Sequence, residues 1–132
     1  TIVVHVLAMY GVFVVIEING ATPGGIITVS RTLGDNAPSG FIPAALIDEY
    51  LTISSSGIGT AWTATITWVF HPNSQVGLSG PLDTVFQFEG DTLIQTYSIT
   101  PSGTIITIPG VTSFSDWYAG AHTSTVLDWD KF

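Results

Sequence analysis

Residues 2–18 form the longest apolar stretch of the chain. All even positions are apolar, and the odd positions are apolar too, apart from His5, Gly11 and Glu17. The length approaches the about 20 residues of a membrane-spanning helix. However, nine of the seventeen residues are Val or Ile, which favour the pleated backbone of a strand, and His5 and Glu17 are poorly suited to lipid. The pattern therefore predicts one long apolar strand within residues 1–18, bent near Gly11, in preference to a membrane or pilin-type helix.

A strand that is apolar on both faces requires cover on both. One explanation is that the segment bends at Gly11 and passes from one sheet to another. The other is that it adds to the incomplete sheet of a neighbouring subunit. In that case the even positions supply the assembly contacts, namely Ile2, Val4, Val6, Ala8 and Tyr10.

Residues 61–70 show the alternation of a half-buried strand, with Thr63, Thr65 and Thr67 on one face and apolar residues on the other. Shorter candidate strands cover residues 26–33, 84–89, 92–99, 104–108 and 123–129, with turn residues between them. Residues 43–50 could form one short helix, or a loop leading into a strand over 46–53. The expected fold is a single all-β domain over residues 1–132, a two-sheet antiparallel β-sandwich of jelly-roll or immunoglobulin-like type.

A short motif occurs twice. Residues 22–29 read TPGGIITV and residues 100–108 read TPSGTIITI, and each follows an apolar strand. Both therefore look like hairpin turns. The alternative is that they mark two equivalent halves of the sandwich.

Charge is scarce and one-sided. Charged residues are 9% of the chain, against roughly 25% in an average soluble domain, and ten carboxylates face two cations for a net charge of −8. Without a basic patch, we expect neither nucleic-acid binding nor membrane insertion. The absence of cysteine excludes disulfides and thiolate chemistry. With the abundant Thr, Ser and Gly, these features favour an extracellular or cell-surface location.

No catalytic or cofactor-binding motif is present, so we expect no catalytic residues, no bound organic cofactor and no enzyme activity. Calcium is the one possible cofactor, because it binds carboxylate oxygens gathered from loops. Its candidate ligands are Glu89, Asp91, Asp128 and Asp130. The alternative is that these acids are solvated surface groups.

The best candidate ligand site lies near the C-terminal end of the sequence. Asp116, Trp117, Tyr118 and His122 combine aromatic rings with hydrogen-bonding groups, as sugar-binding sites do. The alternative for the rings is packing in the core.

Two functions follow. The first is an extracellular structural subunit that assembles with copies of itself into a filament, pilus or coat by donating its N-terminal strand. The second is a secreted carbohydrate-binding sandwich, a lectin or adhesin, with glycans as partners.

Overall fold

The computed structural model describes residues 1–8, 11–34, 37–38, 40–41 and 43–122. The strands of this part of the chain are β1 (Ile2–Ala8), β2 (Gly11–Asn19), β3 (Ile26–Leu33), β4 (Glu49–Ser56), β5 (Thr63–Val69), β6 (Thr84–Glu89), β7 (Thr92–Ser98), β8 (Ile105–Val111) and β9 (Asp116–Gly120). Two short 3₁₀ turns, η1 (Pro43–Ala45) and η2 (Pro72–Gln75), lie between them.

The strands form two antiparallel sheets. The four-stranded sheet has the order β1-β2-β5-β8, and the five-stranded sheet has the order β3-β4-β9-β6-β7. The predicted two-sheet β-sandwich is confirmed. Its core is built as the period-two pattern of β5 predicts: Ala64, Ile66 and Trp68 are buried between the sheets, and the threonines of β5 lie on the other face.

The N-terminal segment differs from the prediction. Residues 2–18 are two strands instead of one, and β1 and β2 pair as an antiparallel hairpin from Ile2 opposite Ile18 to Ala8 opposite Gly11. Both strands belong to the four-stranded sheet, so the expected passage between sheets at Gly11 is wrong. The two apolar halves lie side by side as paired strands, so the hairpin leaves the outer face of β1 uncovered.

The hairpin explains why both strands carry inward-facing residues at even positions. Pairing sets Val4 opposite Ile16 and Val6 opposite Val14, so these even positions share the core face, whereas the even-numbered Val12 pairs with Leu7 and is exposed. A register shift follows Val6 and turns Phe13, an odd position, inward as well, where it is buried. Such a bulge bends the strand and re-aims its side chains.

Two further predictions need correction or refinement. Residues 43–50 contain the short 3₁₀ helix η1 before β4 begins at Glu49, so the segment combines both alternatives: one helical turn, followed by a loop into a strand. The repeated motif does not join paired strands: residues 22–25 connect β2 to β3, and residues 100–103 connect β7 to β8, each time between different sheets. Only the second copy contains a tight hairpin turn, closed by the antiparallel bridge between Ser102 and Ile105. The predicted strand over 123–129 lies outside the described residues.

The sheets differ in width, and this leaves β7 largely uncovered. Every residue of β7 is exposed except Tyr97, which is partly buried, so the four-stranded sheet does not extend over that strand. The strands at the sheet edges are β1 and β8 in one sheet and β3 and β7 in the other. Within the described residues, no helix has the length and apolar character needed to span a membrane.

Candidate functional site

Among the strands of the described residues, β1 lies at a sheet edge with no partner on its outer side, and its outer face is apolar. Val3 is 47% exposed and Leu7 is 67% exposed, and His5 between them is exposed as well. Charged residues and proline usually prevent an edge strand from pairing with another chain. β1 contains no Asp, Glu, Lys, Arg or proline. The backbone groups of an edge strand that point away from its partner are available to a further strand.

The assembly residues predicted on β1 lie on the opposite face. Ile2, Val4 and Val6 are partly buried, and Val4 and Val6 pack against the core of their own chain. The side chain of Ala8 and the whole of Tyr10 lie outside the described residues. The apolar surface that β1 leaves exposed is therefore the odd-numbered one.

The other edge of the same sheet lies beside uncovered surface. β8 exposes Ile105 (41%), and Leu93 and Ile94 of β7 are each 42% exposed. β8 carries Pro109, which lacks a backbone N–H, and the N–H and C=O of Ile105 bond to Ser102, so the part of this edge left to a further strand is the short run between Ile105 and Pro109. A strand added there would extend the narrower sheet toward the uncovered strand β7.

The structure does not bring the predicted sugar-binding residues together. Asp116 and Tyr118 alternate with Trp117 along β9, and Trp117 is fully buried in the core. His122 lies beyond the strand and contacts Asp83, with 2.8 Å between His122 Nδ1 and Asp83 Oδ2. Trp117 is thus a core residue and not a ligand platform, because successive residues of a strand face opposite sides of the sheet.

The Tyr118 ring is partly covered by other aromatic rings. Its ring stacks on Tyr50 with 4.7 Å between centroids, and Phe88 meets it edge-on at 5.5 Å. Burial, followed by the neighbouring Tyr50 and the charges of Asp116 and Asp91, raises the pKa of Tyr118 to about 12. The hydroxyl therefore stays protonated, and the ring packs within the sheet face instead of forming an open platform for a sugar.

The predicted calcium ligands fall partly outside the described residues. Glu89 and Asp91 are exposed at the turn between β6 and β7, while Asp128 and Asp130 are among the residues not described. Within the described ranges, no three His, Cys, Asp or Glu side chains are grouped closely enough to hold a metal ion.

Sequence reasoning missed a buried carboxylate. Glu49 is 1% exposed and accepts hydrogen bonds from Trp68 Nε1 (2.9 Å), the His71 backbone N–H (2.8 Å) and the Ser74 hydroxyl (2.7 Å). Arg31 Nη1 lies 3.9 Å from Glu49 Oε2. Glu49 lies at the same period-two spacing as the buried Leu51 and Ile53, and this was the available signal for its burial. The adjacent Asp48, however, made Asp48 and Glu49 together resemble ordinary surface acids.

Comparison with models of protein families, with curated protein sequences and with solved structures finds no match to this chain.

Proposed function

We propose that this protein is a structural subunit that assembles with copies of itself through β1. The observation that carries the proposal is the free edge of β1, which is uncharged and exposes Val3 and Leu7. An exposed apolar edge strand without charged residues or proline is a template for pairing with another chain. This refines the expected strand donation, because β1 stays paired with β2 and offers only its outer edge.

The acceptor in the neighbouring copy is the edge of β8. A β1 strand placed there continues the four-stranded sheet over the inner face of β7, the face that carries Tyr97. β1 and β8 are opposite edges of one sheet. A copy that pairs through its β1 edge therefore still has its β8 edge for the next copy. Such head-to-tail contacts produce open-ended assemblies when they do not close into a ring.

The second copy is favoured as the partner because the edge strands themselves carry no Asp, Glu, Lys or Arg. This holds for β1, β7 and β8, so two molecules of net charge −8 bring no carboxylate on the pairing strands together, and the exposed Glu17 lies one strand further in, opposite Val3. Fully burying an exposed Val or Leu contributes about 1.5–3 kcal/mol. A filament, pilus or coat outside the cell fits the low charge and the absence of cysteine.

The test is the double variant Val3→Lys/Leu7→Lys, which places two charges on the outer face of the β1 edge. We expect wild-type protein to form open-ended assemblies and the variant to remain monomeric, because pairing would bury the new ammonium groups. Light scattering after size-exclusion chromatography and negative-stain microscopy measure the difference, and circular dichroism verifies that both proteins are folded.

The matched control is Ser54→Lys/Thr63→Lys. Ser54 and Thr63 are exposed residues of β4 and β5, which are interior strands, so the control changes the net charge equally without touching a sheet edge. It should assemble like the wild type. A wild-type protein that stays monomeric up to millimolar concentration, or a Val3→Lys/Leu7→Lys protein that still assembles, would refute the proposal.

A further inference from the structure

An open cavity of about 300 Å³ lies where β2 begins and β5 ends. Its apolar wall is formed by Val12, Phe13, Val69 and Phe70, and Arg31 enters it from β3 in the other sheet. This volume is at the lower end of the range for small-molecule pockets, which are mostly apolar with a few polar groups.

The guanidinium group of Arg31 lacks hydrogen-bond acceptors within the described part of the chain. Its closest carboxylate oxygen, Glu49 Oε2, is 3.9 Å away, beyond hydrogen-bond distance. Glu49 already accepts three hydrogen bonds from other groups. The Arg31 side chain is 18% exposed, and none of its nitrogen atoms is fully buried without a partner, so its N–H donors face solvent or the open cavity.

Arg31 offsets the negative charge of Glu49, but this ion pair does not explain where the guanidinium group lies. The guanidinium carbon lies over the Phe13 ring, 4.7 Å from the ring centroid. Phe13 faces inward because of the register shift between β1 and β2, and it thereby supports the guanidinium at the cavity wall. Arg31 is one of two cations in the whole chain.

We infer that the cavity binds a small organic carboxylate with an apolar body. The two carboxylate oxygens match the paired N–H groups of a guanidinium, and the apolar body fits against Val12, Phe13 and Phe70. A planar or short-chain acid suits the volume. The cavity adjoins the β1 edge, because Val12 pairs with Leu7, but its cation Arg31 lies on β3 in the other sheet and the inference does not depend on assembly.

Isothermal titration of the full chain with three acids and one neutral compound tests it. Hexanoate and benzoate should bind with saturation. Acetate lacks the apolar body and benzyl alcohol lacks the charge. Each should bind at least roughly tenfold more weakly than hexanoate and benzoate. If neither hexanoate nor benzoate saturates the protein, the inference is wrong.

Two variants locate the site. Arg31→Gln should abolish benzoate binding, and Val12→Trp should do the same by filling the cavity while leaving the Arg31–Glu49 pair in place. Leu93→Trp on β7 is the control for the second variant, since Leu93 (42%) and Val12 (38%) are similarly exposed. If Arg31→Gln does not fold, Val12→Trp decides, and wild-type affinity in that variant would place binding elsewhere and overturn the inference.

Discussion

At the scale of single residues, the polar side chains buried in the sandwich have assigned hydrogen-bond partners. The amide nitrogen of Gln87 donates to the Ser113 carbonyl and to the hydroxyls of Ser113 and Ser115, while Tyr97 donates its hydroxyl to the Gln87 carbonyl. Trp117 is the exception, because its Nε1 is buried without an acceptor among the described residues. Unpaired buried groups are costly, so the Gln87 contacts stabilise β6 against the segment before β9.

Asp83 and His122 give a residue-scale prediction. Burial raises the pKa of Asp83, but hydrogen bonds from Thr84 and His122, together with the His122 charge, outweigh it and lower the pKa below 3.8. A lowered folded-state pKa stabilises the fold above pH 3.8, and this contribution disappears as the pH falls through the lowered value. His122→Ala should therefore raise the pKa of Asp83 toward 3.8.

Carbon-detected NMR titration of the Asp83 carboxyl measures this change. His5→Ala, which replaces an exposed histidine of β1, is the control and should leave the pKa of Asp83 unaltered. An equal or lower pKa of Asp83 in His122→Ala would show that the histidine does not hold the carboxylate in its charged form.

At the scale of elements, Glu49 joins three parts of the fold. It begins β4 and binds Trp68 of β5, the backbone of His71 and Ser74 of η2. Trp68 belongs to the four-stranded sheet and Glu49 to the five-stranded one. The carboxylate therefore links the two sheets by hydrogen bonds at the end of the sandwich that also contains the Arg31 cavity.

Replacing this carboxylate should be strongly destabilising. In Glu49→Ala, the Trp68 and Ser74 donors lose their acceptor and Arg31 loses its nearest negative charge. We expect the free energy of unfolding to fall by about 3 kcal/mol, measured by guanidinium denaturation. Glu89→Ala, at an exposed turn, should change it by less than about 0.5 kcal/mol. A loss below about 1 kcal/mol for Glu49→Ala would contradict the assigned role.

At the scale of the whole molecule, electrostatic repulsion between two negatively charged copies opposes the pairing of their sheet edges, even though the edge strands themselves carry no acidic residue. The net charge of −8 acts over the whole surface, whereas the apolar contacts of β1 act only on close approach. Assembly of this protein should therefore depend on how far the charge reaches into solution.

Salt should accelerate assembly. Raising the ionic strength from 0.01 M to 0.15 M shortens the Debye length from about 30 Å to about 8 Å, so copies approach with less repulsion. Time-resolved light scattering should show faster growth at the higher salt concentration, with the Ser54→Lys/Thr63→Lys control less sensitive because it carries less net charge. Slower growth in salt would indicate that attraction between opposite charges, and not edge pairing, holds the copies together.

Much of the strand pattern follows from the sequence alone. The predicted strands at 26–33 and 84–89 coincide with β3 and β6, and the threonine alternation marks both faces of β5. These features are local, since a side chain's preference for one face depends on its own neighbours in the chain. The same reasoning predicted an all-β sandwich with no requirement for disulfides.

Only the tertiary structure decided which strands meet. It divided the apolar segment of residues 2–18 into the hairpin β1–β2, turned Phe13 inward beneath Arg31, buried Glu49 beside Trp68 and left β1 at a sheet edge. It also separated Trp117 from Tyr118, which adjacency in sequence had suggested as one site. A period-two pattern assigns residues to faces but carries no information about the neighbouring strand, because pairing joins residues far apart in the chain.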